Sequence, residues 1–428
     1  MQIPAPSLPD VSTETKLVVG LIGGSEFVNH AYLVLFPPIL GILATDFDVG
    51  LGMLGLAMGV QGFTNAVFQL PFGYLSDNYD RQFALALSLA LSTGSVFVVA
   101  LAPTFEVLLV GQALLGIGIA GHHPVHFPLL AAATPVNLRA RAFSVRGFLG
   151  SLGFAAPPAV VTGVIAVPGL TWRHAVALIG AFGAVYAAIT LLTFWRYVDD
   201  EVTTPDGSGS ATTEDRSIGS RIQSELRAIV AAPAIVALAV LALASSIAGW
   251  TVTTYVVVLL QDGYGVGLNV ANLTLTGMFV AGAVMILVGG DLSDRYAAGP
   301  VILSSYAGIA VLVALLASFV VSPVLAIPVA LVLGGVRSIG GPARSKLADV
   351  LSSRSDLGRN FAIITVGTMS GSAIAPPVFG ALIERAGLRV TFLVVAAVAL
   401  VALLITLAIL RVYGAETGFG GGSVTRDD

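Results

Sequence analysis

The sequence predicts an all-α membrane protein with twelve transmembrane helices in two pseudo-symmetric six-helix bundles. Three observations predict this fold class. Of the 428 residues, 56% are hydrophobic and only 10% are charged, against about 25% charged residues in soluble domains. The chain holds twelve apolar stretches of about the 20 residues that a membrane-spanning helix needs. Its landmarks recur at a nearly constant interval, which predicts two similar halves.

The composition also excludes several classes of protein. The mean hydropathy of +0.93 and the net charge of −4 do not fit a soluble enzyme, a disordered chain or a nucleic-acid-binding module. Cysteine is absent, so disulfides and thiolate metal sites are excluded. We expect the lipid bilayer and a small-molecule substrate as partners, no nucleic acid and no cofactor, and a monomer.

The apolar stretches divide into two groups of six along the chain. The first six spans are expected near residues 17–43, 50–75, 83–102, 107–133, 142–166 and 173–196. The second six are expected near 229–261, 268–290, 300–321, 325–347, 359–384 and 390–411. The first stretch is not read as a cleavable signal peptide, because it carries Glu26 and His30 and further spans follow it.

The distribution of basic residues predicts the orientation of the spans. With both termini in the cytoplasm, sixteen of the twenty Lys and Arg residues fall on the cytoplasmic side. Arg173, Arg385 and Arg389 fall outside, and Arg337 lies within a span. Cytoplasmic loops carry an excess of Lys and Arg, so we expect a multi-pass protein of the cell membrane with both termini cytoplasmic.

A polar stretch separates the two groups of spans. It is rich in Asp, Glu, Gly and Ser, and we interpret it as a cytoplasmic linker that ends in a short amphipathic helix, Ser217–Arg227. The predicted divisions are an N-terminal tail (1–16), an N-terminal bundle (17–196), the linker (197–228), a C-terminal bundle (229–411) and a disordered tail (412–428).

The two groups of spans share landmarks that indicate a tandem duplication. The motif Gly73-x-Leu75-x-Asp77 recurs 217 residues later as Gly290-x-Leu292-x-Asp294. Ala156-Pro157-Pro158 recurs 219 residues later as Ala375-Pro376-Pro377. Because each copy has an even number of spans, both start on the same side and are parallel repeats.

Two six-helix halves, each with a Gly-x-Leu-x-Asp loop after its second span, resemble the major facilitator superfamily. The resemblance covers about residues 17–411. It implies a transporter in which these loops, at the cytoplasmic mouth, form a latch that holds the halves together when the cavity opens outward. The alternative is that these loops carry charged residues only because they are exposed to water. The residues assigned to gating are Gly73, Asp77, Arg81, Gly290, Asp294, Arg295, Pro157 and Pro376.

The fourth and fifth spans are similar to the fosmidomycin-resistance-like efflux group of that superfamily. The matching residues are Gly116-x-Gly118-x-Ala120-x-His122-His123-Pro124 and Arg146-Gly147-x-x-Gly150-x-x-Gly153. The superfamily's antiporter motif in the fifth span usually reads Gly-Pro with further glycines, whereas this chain has Ala156-Pro157. That departure weakens the inference of antiport and leaves simple helix packing as an equal interpretation of these glycines and prolines.

Polar residues inside the spans are the candidates for binding, since each is costly in lipid and needs a cavity or a partner. These candidates are Glu26, Asn29, His30, Gln61, Asn65, Gln112, His122, His123, His126 and Arg337. Glu26 and His30 are four residues apart and share a helix face. The same spacing predicts that His122 and His126 share a face while His123 points elsewhere, with Pro124 bending the helix.

In the superfamily the first, fourth, seventh and tenth spans line the central cavity. The resemblance therefore implies that Glu26, His30, the fourth-span histidines and Arg337 meet there. A carboxylate and imidazoles supply the titratable groups that proton coupling requires, and Arg337 offers a planar fork suited to a carboxylate or phosphonate. Gln112 replaces the superfamily's usual Arg. Arg146 is expected at the cytoplasmic end of its span, snorkelling to water.

Other interpretations of these residues stay open. Glu26 can belong to a purely structural network with Arg337 or a histidine. His122, His123 and His126 with Glu26 can also bind a metal ion, because an i, i+4 pair of imidazoles suits two ligands, although the chain has no HExxH motif. We expect no metal.

The sequence thus predicts a secondary active transporter that works by alternating access, through proton-coupled efflux of a drug or organic anion. Its alternative is proton-coupled uptake of an organic anion, which Arg337 and the incomplete antiporter motif favour. A channel or a non-transporting membrane sensor is the remaining alternative. No enzyme is expected, since the chain has no nucleophile–base constellation and no phosphate-binding loop.

Overall fold

The computed structural model describes residues 11–205, 232–352 and 357–414, and within these ranges it contains helices and no strand. Eleven helical segments in this part of the chain are long and apolar enough to cross a membrane. They are Thr13–Phe47, Leu51–Asn78, Arg81–Leu101, Phe105–Ala133, Val136–Ile165, Trp172–Tyr197, Pro233–Gly263, Leu268–Arg295, Ala298–Ser318, Pro323–Leu351 and Asn360–Tyr413.

The last segment contains two spans. Its 54 residues would extend about 80 Å as one straight helix, far more than the roughly 30 Å hydrocarbon core of a bilayer. Gly387 interrupts the helix with φ 81° and ψ 168°, a conformation essentially restricted to glycine. The eleventh and twelfth spans are therefore residues 360–386 and 388–413, and the predicted twelve-helix fold is confirmed.

Three spans are interrupted where the sequence places proline. The first span is the helix Thr13–Leu33, followed after a proline-containing turn by Leu40–Phe47. The fourth span breaks at Gly121 between Phe105–Ala120 and His122–Ala133. Pro124 has no N–H for the carbonyl of residue 120, so the break precedes this proline and re-aims the histidines that follow.

The fifth span is broken in the same way. It consists of Arg139–Gly153 and Ala156–Ile165, with Phe154 and Ala155 between them. Pro157 and Pro158 follow at once, and neither can donate to a carbonyl in the preceding turn. The break leaves Phe154 at the junction of the two helices.

The helix bounds repeat between the two halves. The second span, Leu51–Asn78, and the eighth, Leu268–Arg295, each have 28 residues. The third, Arg81–Leu101, and the ninth, Ala298–Ser318, each have 21. Both pairs start 217 residues apart, the interval that the loop motifs show.

The two ends of the bundle differ in how the halves meet. We call the end with residues 78–81, 199–205 and 295–298 the linker end, and the opposite end the distal end. At the distal end, the Asn272 side-chain amide donates to the Pro38 carbonyl at 3.1 Å. Among the described residues, no hydrogen bond between the halves lies closer to the linker end than that between Gln69 and Met369.

Parts of the predicted architecture fall outside the described residues. The linker is described only as far as residue 205, so the predicted amphipathic helix Ser217–Arg227 lies outside the described ranges. The same holds for residues 1–10 and for residues 415–428 of the predicted tail.

Candidate functional site

A buried carboxylate, Glu26, is the centre of a charged cluster in the N-terminal half. Its side chain is only 2% exposed. Arg146 of the fifth span donates from Nη2 to Glu26 Oε1 at 2.7 Å. His126 of the fourth span lies with Nδ1 3.1 Å from Glu26 Oε2. The first, fourth and fifth spans therefore meet at one ion pair.

Two further histidines complete the cluster. His30, one turn after Glu26, places Nε2 3.4 Å from Glu26 Oε1, and His123 places Nε2 3.3 Å from the same oxygen. The His123 side chain is 46% exposed, the most of these groups. It is therefore the member through which the buried carboxylate is closest to water.

The expected position of Arg146 is wrong. Its side chain is only 7% exposed, and the guanidinium lies 4.4 Å from the centre of the Phe127 ring instead of snorkelling to the end of the span. The physical reason is that a carboxylate removed from water needs a partner of opposite charge. Arg146 also lies seven residues after Arg139, about 10 Å deeper along the helix, a signal that sequence reasoning missed.

The expected orientation of His123 is also wrong. His123 and His126, three residues apart, both reach Glu26, since i and i+3 share a helix face as i and i+4 do. His122 instead places Nδ1 3.0 Å from Ser88 Oγ, and its ring centre is 5.0 Å from that of His126. The break at Gly121 sets the rotation of this helix.

Glycines of the fifth span bring it close to the first span. A Cβ at Gly150 would lie 2.8 Å from both Glu26 Cγ and His30 Nδ1. One at Gly153 would overlap the Phe27 carbonyl oxygen. Gly150 and Gly153 therefore both allow the two helices to pack closely and hold the fifth span next to Glu26. Gly147 faces open space, with nothing within 4 Å.

Three donor atoms of the cluster have the spacing of a metal site. One ligand atom each from Glu26, His30 and His123 lie within 4.8 Å of one another. However, the guanidinium of Arg146 already contacts the Glu26 oxygen that faces both imidazoles. A permanent positive charge at that oxygen repels a metal ion, so the arrangement disfavours metal binding.

Arg337 does not join this cluster, contrary to expectation. It lies in the C-terminal half, where Nη2 donates to Thr253 Oγ1 of the seventh span at 3.1 Å. The reason is that Arg146, not Arg337, neutralises Glu26. Arg344, two turns further along the tenth span, donates to the hydroxyl of Tyr306 at 2.8 Å and to Ser245.

Arg337 and Arg344 line a cavity of about 740 Å³. Its wall is aromatic and hydroxyl-rich, and it includes Trp250, Thr253, Phe279, Tyr306, Phe361 and Thr368. Phe154, at the break of the fifth span, is the one lining residue from the described part of the N-terminal half. The cavity therefore belongs mainly to the C-terminal half.

Phe154 connects the cavity to the carboxylate cluster. Its ring stacks on His30 with centres 4.2 Å apart and planes 17° apart. It also stacks on Phe279 of the eighth span, 5.4 Å away at 19°. A movement of His30 therefore reaches the cavity wall through one side chain.

The remaining polar candidates of the spans lie apart from the cluster. Gln61 donates to the Tyr32 carbonyl at 3.4 Å, and Asn65 is half-buried. Gln112 is buried, and neither atom of its amide has a hydrogen-bond partner among the described residues; the same is true of Asn29 Oδ1.

The candidate gating residues lie at the linker end and at the span breaks. Asp77 and Asp294 are exposed and form no ion pair with any described residue. Arg81 donates to the Val202 carbonyl at 3.0 Å, and Arg295 pairs with Asp291 at 2.8 Å. Gly73 and Gly290 lie within helices, and Pro157 follows the break in the fifth span. The Pro376 carbonyl accepts a hydrogen bond from the Tyr255 hydroxyl at 2.5 Å.

Sequence reasoning missed Arg344, Phe154 and Glu384. Arg344 was counted among the cytoplasmic residues, although its spacing of seven from Arg337 places both on one helix face. Phe154 carried no polar signal. Glu384, near the end of the eleventh span, accepts from the Gly52 N–H at 2.8 Å across the two halves, a contact that no local pattern reveals.

Comparisons with known proteins agree with this architecture. A sequence model of the Major Facilitator Superfamily matches residues 22–267 and 238–421. The uncharacterised MFS-type transporter YfnC of Bacillus subtilis is 25% identical over 88% of both chains. The fosmidomycin resistance protein of Escherichia coli is 22% identical over 68% of this chain and 69% of its own.

A solved structure shows the same fold. The inward-facing, unoccupied bacterial homologue of the human lysosomal transporter Spinster superposes with a TM-score of 0.78 at 15% identity, covering 95% of this chain and 99% of that one. Together with the twelve spans and the matched residues, this similarity supports secondary transport across a membrane. The chain belongs to the major facilitator superfamily.

Proposed function

We propose that this protein is a proton-coupled exporter of a small organic solute, acting as a monomer in the cell membrane with its linker end in the cytoplasm. One observation carries the proposal. A buried carboxylate, Glu26, is paired with Arg146, surrounded by three histidines and joined through Phe154 to a cavity in the opposite half. Intramembrane ionisable groups in such contact are typical of proton relays.

The chemistry follows from the charge of Glu26. The ionised carboxylate holds Arg146 and His126 by charge-assisted hydrogen bonds. A proton on Glu26 removes the negative charge, which weakens the bond to Arg146 and loosens the first span from the fifth. His123, the most exposed member, is the natural donor of that proton. The stack of His30 on Phe154 passes the change to the cavity wall.

Export is the favoured direction. The relative named as a fosmidomycin resistance protein supports it, because resistance is the phenotype expected of export. A second candidate is proton-coupled uptake of an organic anion, which the uncompensated guanidinium of Arg337 favours.

Proton movement in proteoliposomes tests this proposal. The chain is reconstituted with an internal pH dye, and phosphonates, carboxylates and then lipophilic cations are added outside one at a time. Exchange of entering solute for leaving protons raises the internal pH whichever way the protein is inserted, whereas symport lowers it. Glu26→Gln should abolish the response, and the exposed Glu106→Gln should retain it.

The outcomes separate the candidates. Acidification would replace export with uptake symport. Solute flux with no pH change in wild type would refute proton coupling and return the cluster to a structural network. Unsaturable flux would indicate a channel.

A further inference from the structure

We infer that Arg337 and Arg344 together form a subsite for an organic dianion with an aromatic body. The inference rests on the proposed function, because the dianion is the transported solute. It adds the chemical class of that solute and a second arginine. It also moves the recognition of the solute away from the Glu26 cluster into the C-terminal half.

The two arginines face one stripe of the neighbouring helix. They are seven residues apart on the tenth span, so they lie about 10 Å apart along the helix axis. Arg337 donates to Thr253, and Arg344 donates to Ser245, eight residues earlier on the seventh span. Gly249 lies between them, and a Cβ there would come within 3.3 Å of Arg337 Nη2.

In the part of the chain that the structure describes, only neutral groups contact these two guanidiniums. Among the described residues, no carboxylate lies within 4.0 Å of either, and their side-chain partners are the hydroxyls of Ser245, Thr253 and Tyr306. Arg146, by contrast, has Glu26. A guanidinium carries five N–H donors, and Arg337 uses one of them on a described side chain. Two uncompensated positive charges inside a membrane protein indicate an anionic ligand.

The cavity around the arginines fits an organic molecule rather than a bare inorganic ion. Its volume of about 740 Å³ lies within the range of small-molecule sites. Trp250, Phe279, Phe361 and Tyr306 supply flat apolar surface. The planar fork of each arginine matches a carboxylate or phosphonate. One such group at each arginine compensates both charges, whereas a monoanion leaves one uncompensated.

Equilibrium binding to the purified full chain in detergent tests the inference. The probes are biphenyl-4,4′-dicarboxylate, its monomethyl ester and its dimethyl ester, titrated by calorimetry. We expect the dicarboxylate to bind, the monoester to bind at least tenfold more weakly, and the diester not to bind. Arg337→Gln and Arg344→Gln should each weaken dicarboxylate binding at least tenfold.

Matched variants separate the subsite from folding and from net charge. Arg337→Lys and Arg344→Lys keep the charge without the fork and should bind with intermediate affinity. Arg411→Gln, which removes an exposed arginine, should bind as wild type does. Equal affinity for diester and dicarboxylate, unchanged affinity in both Gln variants, or no binding by wild type would overturn the inference.

The measurement is independent of proton coupling because it uses no gradient. If the arginine variants weaken dicarboxylate binding but wild type gives no pH response, the subsite is supported and the coupling proposal fails. If wild type gives a pH response but the arginine variants bind as wild type does, only the subsite is refuted. A lipid headgroup offers similar anionic chemistry, so the titration is repeated in nanodiscs with and without phosphatidylglycerol. Lipid that abolishes binding through the same arginines would assign the site to lipid and overturn the inference.

Discussion

Arg146 and Arg337 are guanidiniums of the same kind in different surroundings. Arg146 has a carboxylate at 2.7 Å and forms a closed, nearly neutral unit with Glu26. Arg337 has a neutral threonine hydroxyl at 3.1 Å and lines a cavity. The first arrangement suits a switch that a proton opens, and the second suits a site that a ligand completes.

The buried pair of Glu26 and Arg146 gives a prediction about stability. Arg146→Met leaves the Glu26 carboxylate buried without its partner, so we expect the free energy of unfolding to fall by about 3–5 kcal/mol. The double variant Glu26→Gln/Arg146→Met removes both charges and should recover most of this loss. Thermal unfolding of the detergent-purified variants measures both effects.

Transport provides the control for this double variant. It should fold well yet show no proton response, because the titratable group is gone. A single variant as stable as wild type would show that the three histidines or water, not Arg146, compensate the carboxylate.

The sequence predicted which acidic and histidine side chains form the cluster, but it did not predict which arginine pairs with Glu26. Spacing placed Glu26 and His30 on one face, and the resemblance brought the fourth-span histidines to them. Hydropathy gives the depth of a residue but not the direction it faces around the helix axis. Arg337 was therefore assigned to the wrong cluster, whereas Arg146 was assigned to the span end because helix boundaries are the least reliable part of a prediction from sequence.

At the scale of helices, hydropathy and proline were sufficient for much of the fold. Twelve apolar stretches predicted twelve spans, and Pro124 and Pro157 marked the broken fourth and fifth spans. The structure adds which way each half-helix turns after its break. That direction depends on packing between spans, for example of Gly153 against the Phe27 carbonyl, which no single stretch of sequence encodes.

The contact between the first and fifth spans gives a matched pair of substitutions. Gly150→Ala places a methyl group 2.8 Å from Glu26 Cγ and His30 Nδ1, so it should separate the helices and lower transport at least tenfold. Gly147→Ala meets nothing within 4 Å and gains up to about 1 kcal/mol of helix propensity. Solute flux and thermal unfolding of both variants measure the difference.

Both substitutions add one methyl group to the same helix, so propensity and lipophilicity are controlled. Equal transport by the two variants would mean that close packing at Gly150 is not required for transport.

The whole molecule is held asymmetrically between its two ends. Hydrogen bonds join the halves at the distal end, where Glu384 meets Gly52 and Asn272 meets Pro38. At the linker end, Asp77 and Asp294 are exposed. The duplication visible in the sequence predicts two similar halves, but it does not say at which end they are joined, since alternating access visits both states.

The proposed latch at the linker end gives a prediction about transport. Asp77 has no ion pair among the described residues, so Asp77→Asn should leave the stability of this state unchanged. It should nevertheless slow transport, because the state closed at the linker end loses its latch. Flux in proteoliposomes and yield of folded protein measure the two effects, and wild-type flux in this variant would remove the latch from the mechanism.

The distal end gives the opposite prediction. Glu384 accepts from the Gly52 N–H in the first turn of the second span, where a negative charge is favoured by about 0.3–1 kcal/mol at an exposed site. Glu384→Gln removes the charge and Glu384→Ala also removes the hydrogen bond, so both should populate the distal-open state, by about two- to fivefold for the charge alone.

Spin labels measure this population directly. Because the chain contains no cysteine, labels attach only to a pair of introduced cysteines, and the measured distance is the distance between those two sites. Thr45→Cys and Val320→Cys place exposed labels at the distal end, one on each half. We expect the longer distance between them to gain population in the order wild type, Glu384→Gln, Glu384→Ala. The exposed Glu106→Gln should match wild type. An unchanged distance distribution in Glu384→Ala would mean that packing of the second span on the eleventh, not this contact, holds the distal end closed.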